Sequence, residues 1–107
     1  IYPAGRMSDV INRGGEKIDP AEVEDALRAH EDVLEVAVAG VPDPDLGETV
    51  GAVVVARRPV DEGSLRDAVR ARLAHFKVPA RFVFVDELPM TEVGKVSRRD
   101  LRKLLET

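Results

Sequence analysis

The 107 residues predict an α+β fold, a small mixed sheet with an N-terminal β-hairpin and about three helices packed against it. Three observations lead there. Adjacent glycines, Gly14 and Gly15, separate two short apolar segments; two valine-rich runs follow; and three stretches carry apolar residues at helical spacing behind a recognisable start. Strand and helix do not alternate regularly, so the βαβ units of a parallel sheet are not expected.

Val10 and Ile11 lead into Asn12-Arg13-Gly14-Gly15, and Glu16-Lys17-Ile18 leads out. Glycine accepts positive φ without strain, as a tight hairpin turn requires. Asp19 then caps a helix, Pro20 takes its first position, where a missing N–H costs nothing, and Glu22 falls where a capping box needs it. Val23, Ala26 and Leu27 form the buried stripe, and the helix is expected to end near His30. Residues 33–41 read as a strand, with Val36, Val38 and Leu34 on one side. From Gly40 to Gly47, Pro42, Pro44 and the glycines predict a loop. Residues 49–56 form a second strand whose run of valines is too continuous for a surface ribbon, so it is expected to be central and covered on at least one face. Leu65, Ala68, Val69 and Leu73 predict a helix over about 65–74, capped by Ser64 or Asp61. Residues 81–85 are a third short strand, and Ser97-Arg98-Arg99-Asp100 opens a last helix carrying Leu101, Leu104 and Leu105.

Composition excludes several functions. A chain of this length builds one core, so residues 1–107 are expected to be a single domain. Without cysteine there is no disulfide framework, thiol nucleophile or thiolate metal site. His30 and His75 have no acidic cluster at ligand spacing, so no metal site is assigned. No apolar stretch is long enough to span a membrane and no secretory signal is visible. A net charge of −4 argues against general nucleic-acid binding. The opening Ile1-Tyr2-Pro3, in place of a start methionine, is expected to mark a piece of something longer.

Charge is unevenly placed. Residues 1–90 carry 11 basic and 17 acidic groups, whereas residues 91–107 carry 5 basic and 3 acidic. Lys95 stands just before a predicted helix start, with Arg98 and Arg99 in the first turn. Cations are disfavoured at a helix N-terminus unless an anion lies between them and the free N–H groups. A solvated basic end is the alternative. The segment is not a phosphate-cradling P-loop, because Val96 occupies the Ser/Thr position and Pro89 the first Gly position. A second polar concentration, Arg6, Asp9, Arg13, Glu16 and Lys17, surrounds the glycine turn. It is either the hydrophilic edge of a hairpin or the flank of a surface kept small so that a long ligand can pass. No complete enzyme site is visible; the chain would supply a few groups to a site assembled elsewhere.

Two blocks identify a family. The run from Gly5 through Arg6, Ser8, Gly14 and Gly15 to Ile18, continuing to Pro20 and Glu22-Val23-Glu24, and the run Pro89-Met90-Thr91-Glu92-Val93-Gly94-Lys95-Val96-Ser97-Arg98 together resemble the C-terminal domain of the adenylate-forming superfamily. Gly40-Val41-Pro42-Asp43 with Gly47-Glu48, and Phe76-Lys77-Val78-Pro79, fall at matching places between them. The resemblance covers essentially the whole chain.

It implies the lid domain of an ATP-dependent acyl- or aryl-CoA ligase, inactive when isolated. ATP and CoA would be substrates, with Mg2+ accompanying ATP but not bound by this domain. Its partners would be an N-terminal ATP- and acid-binding domain of the same polypeptide, a carboxylic acid, and CoA or carrier-protein pantetheine. By motif position, Lys95 is the adenylation lysine, Arg6 approaches the nucleotide, and Gly14 and Gly15 line the pantetheine tunnel. Ser8 takes the hinge position, where Asp or Lys is common, which alters the charge contacts available to each orientation. An aryl-acid–AMP ligase or an adenylation domain loading a carrier protein is an alternative. A stand-alone, non-catalytic binding domain on the same scaffold is another. The need for ATP and CoA implies the cytoplasm.

Overall fold

The computed structural model describes residues 10–106. Strands β1 (Ile11–Arg13) and β2 (Glu16–Ile18) pair antiparallel, with Arg13 facing Glu16 and the two glycines as the turn. Gly14 and Gly15 have φ of 57° and 95°, a pair of positive values that suits the twist of the flanking strands. Ile11 and Ile18 face each other and are buried, which fixes the hairpin to the core through one apolar pair.

Helix α1 (Pro20–Arg28) begins where expected, with Asp19 Oδ1 accepting from the Ala21 N–H at 2.9 Å. Glu22, in its first turn, accepts from the Lys77 ammonium at 2.5 Å, fastening α1 to a 3₁₀ turn at His75–Lys77. A charge-assisted bond of this kind is about twice as strong as one between neutral groups.

Strands β3 (Val33–Asp43) and β4 (Gly47–Ala56) form a long antiparallel hairpin. The loop expected over 40–47 shrinks to residues 44–46, because Gly40 to Asp43 stay in β3. Asp43 Oδ1 closes the turn by accepting from the N–H groups of Asp45 at 2.8 Å and Leu46 at 2.9 Å. Pro42 is tolerated because β3 is an edge strand, where a missing donor can face outward. Leu34 also departs from expectation. The register shifts between Val33 and Glu35, and Leu34 is half exposed instead of packing with Val36 and Val38.

β4 lies between β3 on one side and β1 and β5 (Arg81–Phe84) on the other; β5 runs parallel to it, so the sheet is mixed. Alternate β4 residues serve two cores. Val50, Ala52 and Val54 pack with Val23 and Leu27 of α1 and with Leu65 and Val69 of helix α2 (Glu62–Arg70). Val53 and Val55 face Leu101 and Leu105 of helix α3 (Arg98–Glu106). Coverage on both faces explains the unbroken valine run. On the α3 side Gly51 has a reason to be small: a Cβ there would come within 2.9 Å of Leu105 Cδ2.

α2 starts three residues earlier than expected and stops at Arg70. Asp61 takes the cap position, while Ser64, inside the helix, bonds His30 Nε2 at 2.5 Å. Leu73 still reaches the core margin because its N–H continues to bond the Val69 carbonyl at 2.8 Å after the helix proper has ended. Among the described residues, no helix is long and apolar enough to cross a membrane.

Candidate functional site

Lys95 sits on a small closed loop over residues 89–97. At its base, Met90 and Val96 form an antiparallel bridge and the Ser97 N–H bonds the Pro89 carbonyl at 2.8 Å. At its tip, Thr91 holds Lys95 by both backbone groups: Thr91 N–H donates to the Lys95 carbonyl at 2.6 Å, and Thr91 Oγ1 accepts from the Lys95 N–H at 3.2 Å. Gly94, at φ 83°, makes the reversal that lets these bonds close. The Lys95 residue is exposed, and among the described residues no carboxylate pairs with its ammonium. Met90 and Val93 beside it are 52% and 78% exposed, an apolar margin around a charge.

The neighbouring cations do different work from that expected. Arg98, the first residue of α3, turns away from any shared anion seat and donates from its Nη1 to the Val38 carbonyl at 2.9 Å. Val38 is on the outer edge of β3, and its N–H is accepted by Glu24 Oε2 at 2.9 Å. Two side chains of opposite charge thus satisfy both polar groups of one edge residue, each bond being of the charge-assisted kind, about 1.5–3 kcal/mol. They also block the edge to further strand pairing. Arg99 remains on the surface, with Asp100 Oδ1 at 3.9 Å. Ser97 caps α3 as its sequence pattern predicts, Oγ accepting from the Asp100 N–H at 3.3 Å.

The glycine turn lies at the other edge of the sheet. Asn12 Oδ1 accepts from the Gly15 N–H at 3.1 Å, and the Gly14 N–H bonds the Leu46 carbonyl at 2.8 Å. Glu48 reaches across to accept the Asn12 N–H at 2.9 Å. Its carboxylate lies over Gly40, where a Cβ would fall 2.6 Å from Oε2. The Gly40 and Glu48 positions, familiar from the sequence, therefore form a tie between the two hairpins. The two glycines of the turn differ: a Cβ on Gly14 would touch Leu46 Cδ2 at 3.0 Å, whereas one on Gly15 would meet nothing within 4 Å.

Lys95 and the Gly14–Gly15 turn are not brought together; opposite edges of the sheet present them. Arg6 and Ser8 lie outside the described residues. Among the described residues no group of three or more His, Asp or Glu is placed to hold a metal. Sequence reasoning missed the partnership of Glu24 with Arg98. Both stand in the quoted motifs, but only the fold shows that they meet at Val38.

The AMP-binding enzyme C-terminal domain family matches residues 22–95. A 2-succinylbenzoate–CoA ligase of Geobacillus kaustophilus is 46% identical over 107 residues, an alignment covering 98% of this chain and 22% of the relative. A long-chain-fatty-acid–CoA ligase of Bacillus subtilis is 49% identical over 103 residues, covering 94% and 18%. Among solved structures, the o-succinylbenzoate CoA synthetase of Bacillus subtilis in complex with its acyl-adenylate intermediate matches with a TM-score of 0.83 and 42% identity, over 89% of this chain and 20% of that one. The chain thus spans about a fifth of the length of these relatives. With a family match over more than half of its residues and the same fold in a solved relative, the chain belongs to the AMP-binding enzyme C-terminal domain family.

Proposed function

We propose that residues 1–107 are the lid domain of an ATP-dependent carboxylic acid–CoA ligase, and that Lys95 is its adenylation lysine. The observation that carries this is an exposed ammonium without a carboxylate partner among the described residues, on a loop whose backbone is fixed by Thr91 and Gly94. In the first step a carboxylate oxygen attacks the α-phosphorus of ATP and pyrophosphate leaves. In the second, a thiol attacks the acyl carbon and AMP leaves. Lys95 offsets the negative charge gathered on the carboxylate and α-phosphate oxygens as the first transition state forms. The exposed Met90 and Val93 supply apolar surface that excludes water once a larger domain covers the loop.

Gly14 and Gly15 serve the second step, as a small surface past which pantetheine reaches the acyl carbon. The open space over Gly15 supports this role. Arg6 at the nucleotide and Ser8 at the hinge follow from their motif positions alone. ATP and CoA are the co-substrates, Mg2+ enters with ATP on the larger domain, and the cytoplasm supplies all three.

The test is Lys95→Ala in the complete enzyme. Pyrophosphate exchange falls by about 100- to 1,000-fold, the scale seen on losing one preorganised charge-stabilising group. Thioester formation from supplied acyl-adenylate changes little. Equal losses in both assays contradict the assignment, as would ligase activity in the isolated domain.

A further inference from the structure

The Glu24 and Arg98 side chains meet at Val38, and their place relative to Lys95 gives them a second consequence. Arg98 follows Lys95 by three residues and directly continues the closed loop, whose base is the Pro89–Ser97 bond. Met90 and Val96, which bridge that base, line a groove of 310 Å³ together with Glu24, Arg28 and Arg98. The tip of the loop stands clear of the sheet: Lys95, Gly94, Val93, Glu92 and Thr91 are all exposed. Within the loop, hydrogen bonds fix its shape. Its two ends are anchored by Leu88 and Val96, which pack with Leu101 and Leu105 of α3, and where the chain enters α3 the Arg98 guanidinium bonds the Val38 carbonyl while Glu24, from α1, holds the Val38 N–H.

We infer that Glu24 and Arg98 are positioning residues for Lys95: by clamping Val38 from both sides, they orient the loop that carries the ammonium to the adenylation site. This inference rests on the adenylation role proposed for Lys95. One charge-assisted bond from Arg98 Nη1 on the Val38 carbonyl, with a second from the Val38 N–H to Glu24, ties the start of α3 and helix α1 to the same point of β3. Small displacements of a reacting group are expensive, since about 1 Å of misplacement can cost 100-fold in rate. The thiolation step, which draws on the opposite edge of the sheet, does not depend on that direction.

The experiment uses the complete enzyme carrying Arg98→Met, Glu24→Ala, Glu24→Gln and, in parallel, Lys95→Ala. Glu24→Ala keeps a strong helix former in α1 and so tests the clamp even if Arg98→Met fails to fold. Pyrophosphate exchange is expected to fall about tenfold in Arg98→Met and Glu24→Ala, through kcat rather than the KM for ATP. Thioester formation from supplied acyl-adenylate stays within about twofold of wild type, because that step does not draw on the placement of Lys95. Glu24→Gln, whose amide oxygen still accepts the Val38 N–H, recovers most of the lost exchange. Val69→Ala, in the core on the far face of the sheet, is the control for instability alone and leaves the ratio of the two half-reactions unchanged. Parallel loss of both half-reactions in Glu24→Ala, no loss of exchange in that variant, or failure of Glu24→Gln to recover it overturns the inference. If Lys95→Ala itself shows no selective loss, the lysine assignment falls and the clamp falls with it. A selective loss in Lys95→Ala without one in Glu24→Ala removes the clamp alone.

Discussion

The Gly14–Gly15 turn and the Lys95 loop both bend on glycines with positive φ, at opposite edges of one sheet, yet they are secured in different ways. The glycine turn is held close to its tip: Asn12 takes the Gly15 N–H, Leu46 the Gly14 N–H, and Glu48 binds the β1 backbone to the neighbouring hairpin. What it offers outward is an absence of side chain. The Lys95 loop is held at its base and shaped from within by Thr91, and it offers a charge on a long flexible stem. A passage for an extended ligand needs walls that stay put. A charge that must meet a reacting centre held by another body needs an oriented stalk and a free end. The contrast suits two steps of one reaction served by two faces.

The largest expected effect separates the faces outright: Lys95→Ala lowers adenylation by the two to three orders of magnitude given above and spares thiolation, as read by pyrophosphate exchange against thioester release. Gly15 provides the converse, provided strain is subtracted. Any side chain at φ 95° costs about 1–3 kcal/mol of stability, so Gly15→Ala sets the baseline and Gly15→Leu adds bulk in open space. Both variants unfold at similar urea concentrations, and both retain adenylation. Thioester formation in the leucine variant drops further, on the scale of the roughly 1–3 kcal/mol that overpacking costs a protein core, because the side chain meets the ligand in that space. If the two variants form thioester equally well, the glycine face lines no passage.

The smallest effect concerns the tie beneath the turn. Glu48→Ala strips the Asn12 N–H of its acceptor and loosens β1 from the long hairpin, at a cost of about 0.5–1.5 kcal/mol in chemical unfolding. Glu48→Gln retains an acceptor oxygen and unfolds close to wild type. Since this tie lies at the glycine edge, neither variant changes pyrophosphate exchange; a fall there would mean that the two edges are mechanically linked.

Local chemistry in the chain was enough to predict the glycine turn, the Asp19 cap, the Ser97 cap and the central position of β4, because each depends on residues adjacent in sequence or on one strand's own alternation. The family motifs pointed to Lys95 and Gly15 but not to what supports them. Glu22 meets Lys77 across 55 positions, Arg98 reaches Val38 across 60, and Glu48 reaches Asn12 across 36. No periodicity links residues so far apart. Pro42 stays within β3 for a related reason: a proline ends a central strand but not the outer row of an edge strand, and which strand lies at the edge is decided by the whole sheet. The basic end was likewise half legible. Its excess charge pointed to an anion, yet one of its cations, Arg98, is engaged with the backbone of β3, and Lys95 is left to face outward.

The most direct test is a structure of the complete protein with a non-hydrolysable acyl-adenylate analogue, captured with the lid in the adenylation orientation. Lys95 Nζ should lie about 3 Å from an oxygen of the analogue's acyl–phosphate linkage, with Arg98 still on the Val38 carbonyl. An ammonium directed into solvent in that orientation, away from the analogue, would contradict the role assigned to it.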